Sequence, residues 1–378
     1  MSFINFSEIP VQLLAGIFLV YAACLTEMYF CTRWFQRIVH HKSGAPTENL
    51  PPVSVLVCVR YELENIRLLI PAVLQQDYPD FELIVVADRP DAALTDFLKT
   101  VVSEYKNFRF LVIDEVPAGL SPKKFALRHG IKEAKNPVLL FTDADCLPAG
   151  SQWIRSMAGL YDESADAVIG LGNYRQEPGL LNMLIRFDTL ITGALFIGKT
   201  LAGKAIGGVG RNLSYRKSLF TRSGGFTAHA AVLSGDDDLF INSAALPGRV
   251  KVCFSEEGRT VSEPEKTWSG WFSQKIRHFS AGRYYQAKGR LLLGLFHSSR
   301  LFFWFAGLVL CLLPDGLTAF LILTAFRMIY FLPVIARVAH RFGIILPLLA
   351  IPVLDFLYTV IAAFLGPWSV IFQPRKWS

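Results

Sequence analysis

Charged residues are scarce in this sequence. Asp, Glu, Lys and Arg make up 18% of its 378 residues, below the roughly 25% of a typical soluble domain. Apolar residues reach 52%, and they are concentrated near the two ends of the chain. This distribution argues against one enlarged soluble core and indicates membrane-spanning segments.

Paired cysteines and nucleic-acid motifs are also missing. The six cysteines are scattered, at positions 24, 31, 58, 146, 253 and 311, and none belongs to a Cys-x-x-Cys pair. A disulfide framework is therefore not expected, and the middle of the chain fits a reducing compartment. The net charge is +7, but zinc-finger spacing and long basic runs with interleaved aromatic residues are absent. We expect a phosphate-rich substrate and membrane lipid as partners, and no nucleic acid.

The first long apolar segment runs from Ile9 to Phe30, which is enough to cross about 30 Å of hydrocarbon. No basic residue precedes it and no clear small-residue cleavage site closes it, so a secretory signal peptide is the weaker interpretation. Basic residues follow it instead, at Arg33, Arg37 and Lys42. The positive-inside rule then places the next part of the chain in the cytoplasm.

Three further apolar segments lie near the C-terminus. Spans are predicted at Gly294–Leu313, Leu317–Ala336 and Ile344–Leu365. Charge inside lipid is costly, so we expect the charged residues within these segments to face a headgroup or a protein cavity; they are Arg300, Arg327 and Asp355. Basic residues at 337–341 indicate a cytoplasmic loop between the last two segments, but Arg375 and Lys376 oppose an outside C-terminus. The number of C-terminal spans stays open between two and four.

Between the two ends, short β-branched runs alternate with helical patterns. After a linker at about 45–52, strands are predicted at Val53–Val59, Glu82–Ala87, Phe108–Ile113 and Pro137–Thr142. Helices are predicted at Glu64–Gln76, Ala92–Tyr105 and Lys123–Ala134. This alternation predicts a Rossmann-like α/β fold with a doubly wound parallel sheet. We expect a transmembrane helix with a basic stop at 1–44, a cytoplasmic domain with interfacial helices at 45–290, and transmembrane helices at 291–378.

Two aspartates close the fourth predicted strand. Ligands bind such sheets at the carboxyl ends of the strands, where Asp143 and Asp145 can converge on one hard cation, Mg²⁺ or Mn²⁺. The ion would neutralise a diphosphate leaving group. Solvated loop aspartates or a helix cap are the alternative, because Asp-x-Asp alone is common. The Gly-rich run at 206–212 is no P-loop, since it lacks the Gly-Lys-Ser/Thr ending.

Other carboxylates stand at similar positions. Asp88 closes the second strand, where it can accept hydrogen bonds from a base or ribose or cap the next helix. Asp236, Asp237 and Asp238 are adjacent, so their mutual repulsion predicts a nearby cation or a raised pKa. One of them can be a general base toward an acceptor hydroxyl, and a helix N-terminus is the alternative. Both can hold at once.

Two stretches have the pattern of helices that lie at a membrane surface. In the stretch 268–285, one helical face collects four apolar residues, namely Trp268, Phe272, Ile276 and Phe279. Gln274 and Arg277 in this stretch are candidate partners for a diphosphate, with plain membrane contact as the alternative. Leu180–Lys199 is predicted as a second interfacial helix, and a transmembrane helix there is the weaker interpretation.

In this order and spacing, the motifs resemble membrane-bound family 2 glycosyltransferases with a GT-A catalytic domain, over about residues 53–282. The turn 60–62 resembles the Arg-Asn-Glu turn of that family, and residues 75–88 resemble its second strand. Residues 123–127 are similar to its Lys-Ala-Leu helix, and residues 235–239 to its Glu-Asp-x-Asp-Leu segment. Residues 274–278 resemble the Gln-x-x-Arg-Trp motif of ceramide glucosyltransferases and of poly-N-acetylglucosamine- or cellulose-type synthases. The chain departs from these patterns at Tyr61, Gly235 and His278.

The resemblance implies an inverting transfer from a nucleotide-sugar donor, with a UDP-sugar favoured over a GDP-sugar, to a lipid or glycan acceptor. It makes Asp236 the general base, with Asp237 as runner-up, and it makes Asp143 and Asp145 the ligands of Mg²⁺ or Mn²⁺. Donor contacts are implied for Arg60, Glu62, Asp88, Lys124, Asp143, Gln274 and Arg277. It also implies an integral protein of the inner or plasma membrane with a cytoplasmic catalytic domain.

Two other functions stay open at this stage. A processive polysaccharide synthase that exports its product would need a channel, for which the predicted spans form a small bundle, and His278 departs from the synthase motif. A non-catalytic membrane scaffold that keeps a nucleotide-binding fold is disfavoured, because carboxylates stand at nearly every expected position.

Overall fold

The computed structural model describes residues 10–42, 47 and 49–371. The first helix, α1, spans Val11–Phe30 and continues through a π-helical turn at Cys31–Phe35 into α2, Gln36–His40. The predicted start of this span at Ile9, most of the first half of the predicted linker, and the C-terminal Arg375 and Lys376 lie outside the described residues.

Ten strands form two sheets. The strands of the larger sheet are β1 Val53–Val59, β2 Phe81–Asp88, β3 Phe108–Ile113, β4 Val138–Asp143, β6 Ala167–Ile169, β8 Leu213–Arg216 and β9 Val250–Val252. Their order across the sheet is β3-β2-β1-β4-β8-β6-β9. The smaller sheet, in the order β5-β10-β7, contains β5 Cys146–Pro148, β7 Gly172–Tyr174 and β10 Thr260–Ser262.

Eleven more helices complete the described part of the chain. Those between the strands are α3 Leu63–Leu74, α4 Ala92–Glu104, α5 Pro122–Glu133, α6 Trp153–Ala158, α7 Leu180–Leu201, α8 Lys217–Arg222, α9 Asp238–Ala244 and α10 Trp268–Ala281. The last three are α11 Ala287–Leu310, α12 Gly316–Phe342 and α13 Ile351–Ile371. The three C-terminal helices were predicted at shifted positions: α11 begins earlier, α12 ends later and α13 lies several residues further along.

The predicted α/β fold class is confirmed. The first four strands pair in parallel as expected, and all seven residues of β1 are buried, because helices cover both faces of the sheet. The parallel pairing predicted for the first four strands does not continue beyond β4. There β8 runs antiparallel to β4, with Val138 opposite Arg216, since the regular alternation of strand and helix stops after β4.

Five helices among the described residues are long and apolar enough to cross a membrane: α1 with its continuation to His40, α7, α11, α12 and α13. Helix α7 differs from the others, because 67% of its most apolar window is buried by protein, against 28–33% elsewhere. It packs against the π-helical turn, α13 and β9. It therefore lies between the sheet and the terminal helices, and its predicted interfacial position stays a prediction.

Helix α10 was predicted to have its apolar face at Trp268, Phe272, Ile276 and Phe279. In the structure these four residues stay at least partly exposed, whereas Trp271 and Lys275, which lie beside them on the helix, are buried. Helix α10 packs against α13, and the Lys275 ammonium lies 2.7 Å from the Asp188 carboxylate of α7. Phe272 packs partly against the protein core, so the predicted interfacial position of α10 stays a prediction.

Four charged side chains meet inside the bundle of terminal helices. Arg327 Nη2 donates to Glu27 Oε1 and to Asp355 Oδ2, both at 2.8 Å, and Arg300 pairs with the same Asp355 carboxylate. Each of the four side chains is at most 3% exposed. The expectation that Arg300, Arg327 and Asp355 avoid lipid is confirmed, and Glu27 of α1 completes a set of two positive and two negative charges.

The substitution Asp355→Asn should lower the free energy of unfolding by about 3–5 kcal/mol, because it leaves two buried guanidinium groups with one carboxylate. The midpoint of thermal unfolding in detergent measures the change. The matched control is Asp315→Asn, at an exposed residue with a left-handed φ of 60° that Asn also adopts. Equal midpoints for the two variants would show that the charge set does not hold the helices together.

Candidate active site

The candidate site lies at the carboxyl edge of the large sheet. Strands β1 and β4 are neighbours there, and Cys58 pairs with Asp143, although β2 and β3 come between them in the chain. The chain leaves β1 on one side and returns on the other, which opens a crevice at the strand ends where such sheets bind ligands.

The Asp143-Ala-Asp145 segment reaches this crevice directly from β4. Ala144 is buried, so the two aspartates on either side of it project toward the crevice. Potential ligand atoms of Asp143, Asp145 and Cys146 lie within 4.8 Å of one another, and Cys146 Sγ donates to Asp145 Oδ1 at 3.2 Å. Burial, followed by the charge of Asp143, raises the pKa of Asp145. A divalent cation would relieve this repulsion, and oxygen ligands suit Mg²⁺ or Mn²⁺.

Lys123 joins the Asp-x-Asp segment to the triple aspartate. Its Nζ lies 2.7 Å from Asp143 Oδ1 and 3.0 Å from Asp236 Oδ2. Burial alone would lower the pKa of Lys123, but Asp143 and Asp236 raise it well above its ordinary value. The same ammonium, acting against the effect of burial, lowers the pKa of Asp236. Lys123 was not among the predicted site residues.

Lys124, which was predicted as a donor contact, points elsewhere. Its Nζ donates to the carbonyl of His229 at 2.8 Å, and the residue is 2% exposed. Burial lowers the pKa of Lys124 to about 8. Consecutive residues on a helix point about 100° apart, so only one of the two lysines at the start of α5 reaches the crevice. Lys124 instead supports the loop that leads to Asp236.

Backbone contacts at the start of α5 decide that Lys123, and not Lys124, reaches the crevice. Ser121 precedes the helix and Pro122 occupies its first turn, a position that suits proline. Ser121 N donates to the carbonyl of Ala230 at 2.8 Å. The start of α5 and the loop before the triple aspartate are therefore held together from both sides of Lys123.

The three adjacent aspartates have three different surroundings. Asp236 faces Lys123, while Asp237 caps α9 by accepting from the backbone N–H of Asp238 at 2.7 Å. Asp237 also accepts from the N–H of Gly210 at 2.6 Å; a Cβ at Gly210 would lie 3.0 Å from this carboxylate. Asp238 accepts from the hydroxyl of Tyr285. The capping role that was left open falls to Asp237, and Asp236 alone of the three faces the Asp-x-Asp segment through Lys123.

The pKa values of these aspartates diverge accordingly. Burial, together with the charges of Asp238 and Asp236, raises the pKa of Asp237 well above its ordinary value. Burial also raises the pKa of Asp238. Asp236, whose pKa is lowered, is therefore the member of the three that stays ionised most readily.

Asp88 is fully buried at the end of β2. Arg89 binds its carboxylate with two hydrogen bonds of 2.9 Å, and Arg60 Nε lies 3.5 Å away. Arg89 has a φ of 48°, a left-handed conformation that is uncommon outside glycine. The predicted contact of Asp88 with a base or ribose would require Arg89 to move, and Arg89 was not predicted.

Glu62 lies at the end of β1, across the crevice from the Asp-x-Asp segment. Its Oε2 accepts from Asn65 Nδ2 at 3.1 Å. Burial raises the pKa of Glu62, and the charges of Asp145 and Asp143 act in the same direction. The structure thus brings Glu62 into electrostatic range of the predicted metal ligands, which adds to the negative charge of the crevice.

The Gly-rich run at 206–212 contributes a third residue that was not predicted, Arg211. The hydroxyls of Thr142 and Thr260 both donate to the carbonyl of Arg211 at 2.9 Å. The Arg211 guanidinium lies 4.0 Å from the ring centroid of Tyr174 and within electrostatic range of Asp143 and Asp145. No motif marks Arg211, because its position depends on hydrogen bonds between segments far apart in sequence.

Helix α10 carries Gln274 and Arg277, and it contacts the loop that leads to the triple aspartate. Ser234 Oγ, two residues before Asp236, donates to the carbonyl of Arg277 at 3.0 Å. On the same helix, His278 is within electrostatic range of Lys123 and Arg211. The structure therefore places Arg277 next to the loop that leads to Asp236, while donor contacts of Gln274 and Arg277 stay predictions.

Known proteins share this architecture. A family model described as Glycosyl transferase family 21 matches residues 16–369. The probable glycosyltransferase YdaM of Bacillus subtilis (strain 168) is 27% identical over 290 residues, which cover 75% of this chain and 66% of that protein. The glycosyltransferase AglE of Haloferax volcanii is 31% identical over 127 residues, or 33% of this chain and 40% of that protein. The chain therefore spans less than two thirds of each of these relatives.

A solved structure is similar over nearly the whole chain. The mannosyltransferase PcManGT from Pyrobaculum calidifontis, in complex with GDP-Man and Mn²⁺, has a TM-score of 0.64, with 95% of this chain and 99% of that chain covered. The sequence identity of 16% shows the shared fold alone. The predicted glycosyltransferase class is confirmed, although the family model is that of family 21 and the narrower likeness to ceramide- or cellulose-type enzymes is not confirmed. The chain belongs to glycosyl transferase family 21.

Proposed function

We propose that the protein transfers one sugar, with inversion, from a nucleoside-diphosphate sugar to a hydroxyl of an acceptor held at the membrane. The observation that carries this proposal is the position of Lys123, whose ammonium alone separates the carboxylates of Asp143 and Asp236. A metal-binding carboxylate and a candidate base on either side of one small space fit a direct displacement at a sugar carbon.

Asp236 is the proposed general base. Its lowered pKa keeps it ionised at neutral pH, so it can accept the proton of the attacking hydroxyl. Lys123 now neutralises it, but a diphosphate in the crevice would attract the same ammonium. Lys123 would then stabilise the leaving group and leave Asp236 free to act as a base.

Asp143 and Asp145 are the residues that would hold Mg²⁺ or Mn²⁺, and such an ion neutralises the charge of a departing diphosphate. The similar mannosyltransferase is described with Mn²⁺ and GDP-Man, which supports a metal-dependent nucleotide-sugar reaction. We retain a UDP-sugar as the proposed donor. A GDP-sugar, as described for that mannosyltransferase, is the alternative.

The nucleoside is proposed to lie over the ends of β1 and β2. Arg60, Glu62 and Asp88 are there, and Gln274 and Arg277 approach from α10. In the structure Arg89 satisfies the Asp88 carboxylate. A base or ribose that hydrogen-bonds to Asp88 would take over the contacts of Arg89, so nucleotide binding should displace this side chain.

The acceptor is proposed to approach from the bilayer. Helix α10 connects the C-terminal helices with the candidate site, because it packs on α13 and contacts the loop before Asp236 through Ser234. The centre of the terminal bundle is filled by Glu27, Arg300, Arg327 and Asp355. A filled centre favours transfer of a single sugar over export of a polymer.

The proposed orientation of the protein in the membrane rests on the distribution of its basic residues. Helix α1 runs antiparallel to α11, since Gly16 faces Leu310 and Phe30 faces Phe296. It runs parallel to α12, because Arg341 donates to the carbonyl of His41. Basic residues cluster at the catalytic end of these helices, whereas no Lys or Arg occurs between residues 301 and 326. The positive-inside rule supports a cytoplasmic catalytic domain.

The substitution Asp236→Asn should reduce the transfer rate about 10²–10⁴-fold, the usual effect of losing a general base. Asp237→Asn should lose less activity, because its amide oxygen can still cap α9, although its NH₂ group replaces the oxygen that accepts from the N–H of Gly210. Transfer of radiolabelled sugar from a panel of nucleotide sugars to extractable lipid measures both, with the thermal midpoint as the folding control. The opposite ranking would assign the base to Asp237.

The substitution Lys123→Met should strengthen Mn²⁺ binding by roughly tenfold or more, because it removes a positive charge in contact with Asp143. It should also slow transfer, because the leaving diphosphate loses a cation. Mn²⁺ binding is measured by electron paramagnetic resonance of the free ion. Lys132→Met, at an exposed position of the same helix, is the control, and weaker Mn²⁺ binding by Lys123→Met would contradict the proposed metal position.

The two ends of α12 should lie on opposite sides of the membrane. In a Cys311→Ser background, Arg337→Cys should be protected from an impermeant maleimide on intact cells, and Asp315→Cys should be labelled. Both positions are exposed, and Cys311 is the one half-exposed native thiol in the described part of the chain. The reverse labelling pattern would place the catalytic domain outside.

A further inference from the structure

We propose that a cluster of five basic residues at the start of α11 binds the phosphate headgroups of anionic bilayer lipids. The cluster brings together the end of α7, the loop after it, the turn after α10 and the first turn of α11. Its members are Lys199, Lys204, Arg283, Lys288 and Arg290.

These five positive charges have no acidic counterpart. Within residues 10–42, 47 and 49–371, none of them forms an ion pair. Their polar contacts are to neutral groups: Lys204 Nζ donates to Gln286 Oε1 at 2.9 Å, and Arg290 Nη1 donates to the carbonyl of Arg283 at 2.9 Å. Lys204 and Lys288 are close enough to Lys199 to repel it. An anion would relieve this repulsion.

The surroundings of the cluster identify the anion as part of a membrane. Lys288 and Arg290 occupy the first turn of a 24-residue apolar helix. Immediately after them, Leu291 is 70% exposed and Leu295 46% exposed, so an uncovered apolar face begins where the charges end. Tyr284, also about half exposed, has the side chain type that concentrates at the boundary between lipid and water.

This sequence of charge followed by exposed apolar surface matches the profile of a bilayer leaflet. Phosphate groups lie outside the hydrocarbon, and basic residues near an anionic surface are attracted to it. A soluble phosphate would account for the charges but not for the continuous apolar face beside them. Phosphodiester headgroups with their acyl chains account for both.

Two hydrogen bonds join the turn between Arg283 and Lys288 to α9. Gln286 N donates to Asn242 Oδ1 at 2.8 Å, and the Tyr285 hydroxyl donates to Asp238. Both acceptors belong to α9, which begins two residues after Asp236. Lipid headgroups on the cluster would therefore fix the distance between α9 and the membrane surface. The importance of this distance for sugar transfer rests on the proposed function, whereas headgroup binding itself does not.

The test compares lipid binding by two variants of the full chain in a neutral detergent. Lys204→Gln/Lys288→Gln removes two charges of the cluster. Lys106→Gln/Lys132→Gln removes two exposed lysines on the sheet side of the catalytic domain that also form no ion pair in the described structure. Native mass spectrometry counts bound short-chain phosphatidylglycerol, with phosphatidylcholine and inorganic phosphate as separate arms, and no step requires transfer activity.

We expect the parent and the control variant to bind phosphatidylglycerol in preference to phosphatidylcholine, and the cluster variant to bind it roughly tenfold or more weakly. Binding should also weaken as salt rises, because salt screens the attraction. Equal binding of the two lipids, or equal phosphatidylglycerol binding by the two variants, would overturn the proposal. Displacement of phosphatidylglycerol by equimolar inorganic phosphate would overturn it in favour of a soluble anion site.

Discussion

Lys123 balances the charge on which the candidate site depends. The carboxylates of Glu62, Asp143, Asp145 and Asp236 converge on one crevice, and one ammonium separates the two that matter most for chemistry. Such a concentration of like charge is stable only with cations among the carboxylates. The ammonium supplies part of that charge without any ligand, while the raised pKa of Asp145 marks the place where more positive charge would bind. In the proposed mechanism a diphosphate would compete with Asp236 for Lys123, so that binding of a nucleotide would rearrange the site.

Much of this arrangement could be predicted from the sequence. Buried strands have β-branched runs bounded by short turns, so Val53–Val59 was located to the residue. Parallel strands bring their carboxyl ends to one edge, and therefore Asp88, Asp143 and Asp145 were expected at the same edge before any contact was known. The apolar helices near both ends were also predicted, but the predicted bounds of the C-terminal ones differ from those in the structure. Apolar composition fixes the length that lipid requires, whereas packing against neighbouring protein decides where a helix begins and ends.

The remaining features depend on contacts between distant segments. Lys123 and Lys124 are equivalent in the sequence, and the hydrogen bonds of α5 with the loop at 229–230 decide which of them is withdrawn from the crevice. Asp237 is distinguished from Asp236 by the N–H of Gly210, 27 residues away. Arg211 reaches the site because two threonine hydroxyls from separate strands hold its carbonyl. In each case the sequence showed the residue type, while the tertiary hydrogen bond determined its role.

The charge set in the terminal bundle has a consequence for how the protein is made. Glu27 and Arg327 are 300 residues apart, and at 5–20 residues per second a ribosome needs roughly 15–60 s to synthesise that interval. Before α12 is made, the partner available to Glu27 within this charge set is Arg300 of α11, whose Nε lies 3.9 Å from the Glu27 carboxylate in the folded structure. Removal of α1 would leave Arg327 with one carboxylate in place of two and would uncover Phe296, which packs against Phe30. A catalytic fragment should therefore retain the helices that this charge set joins.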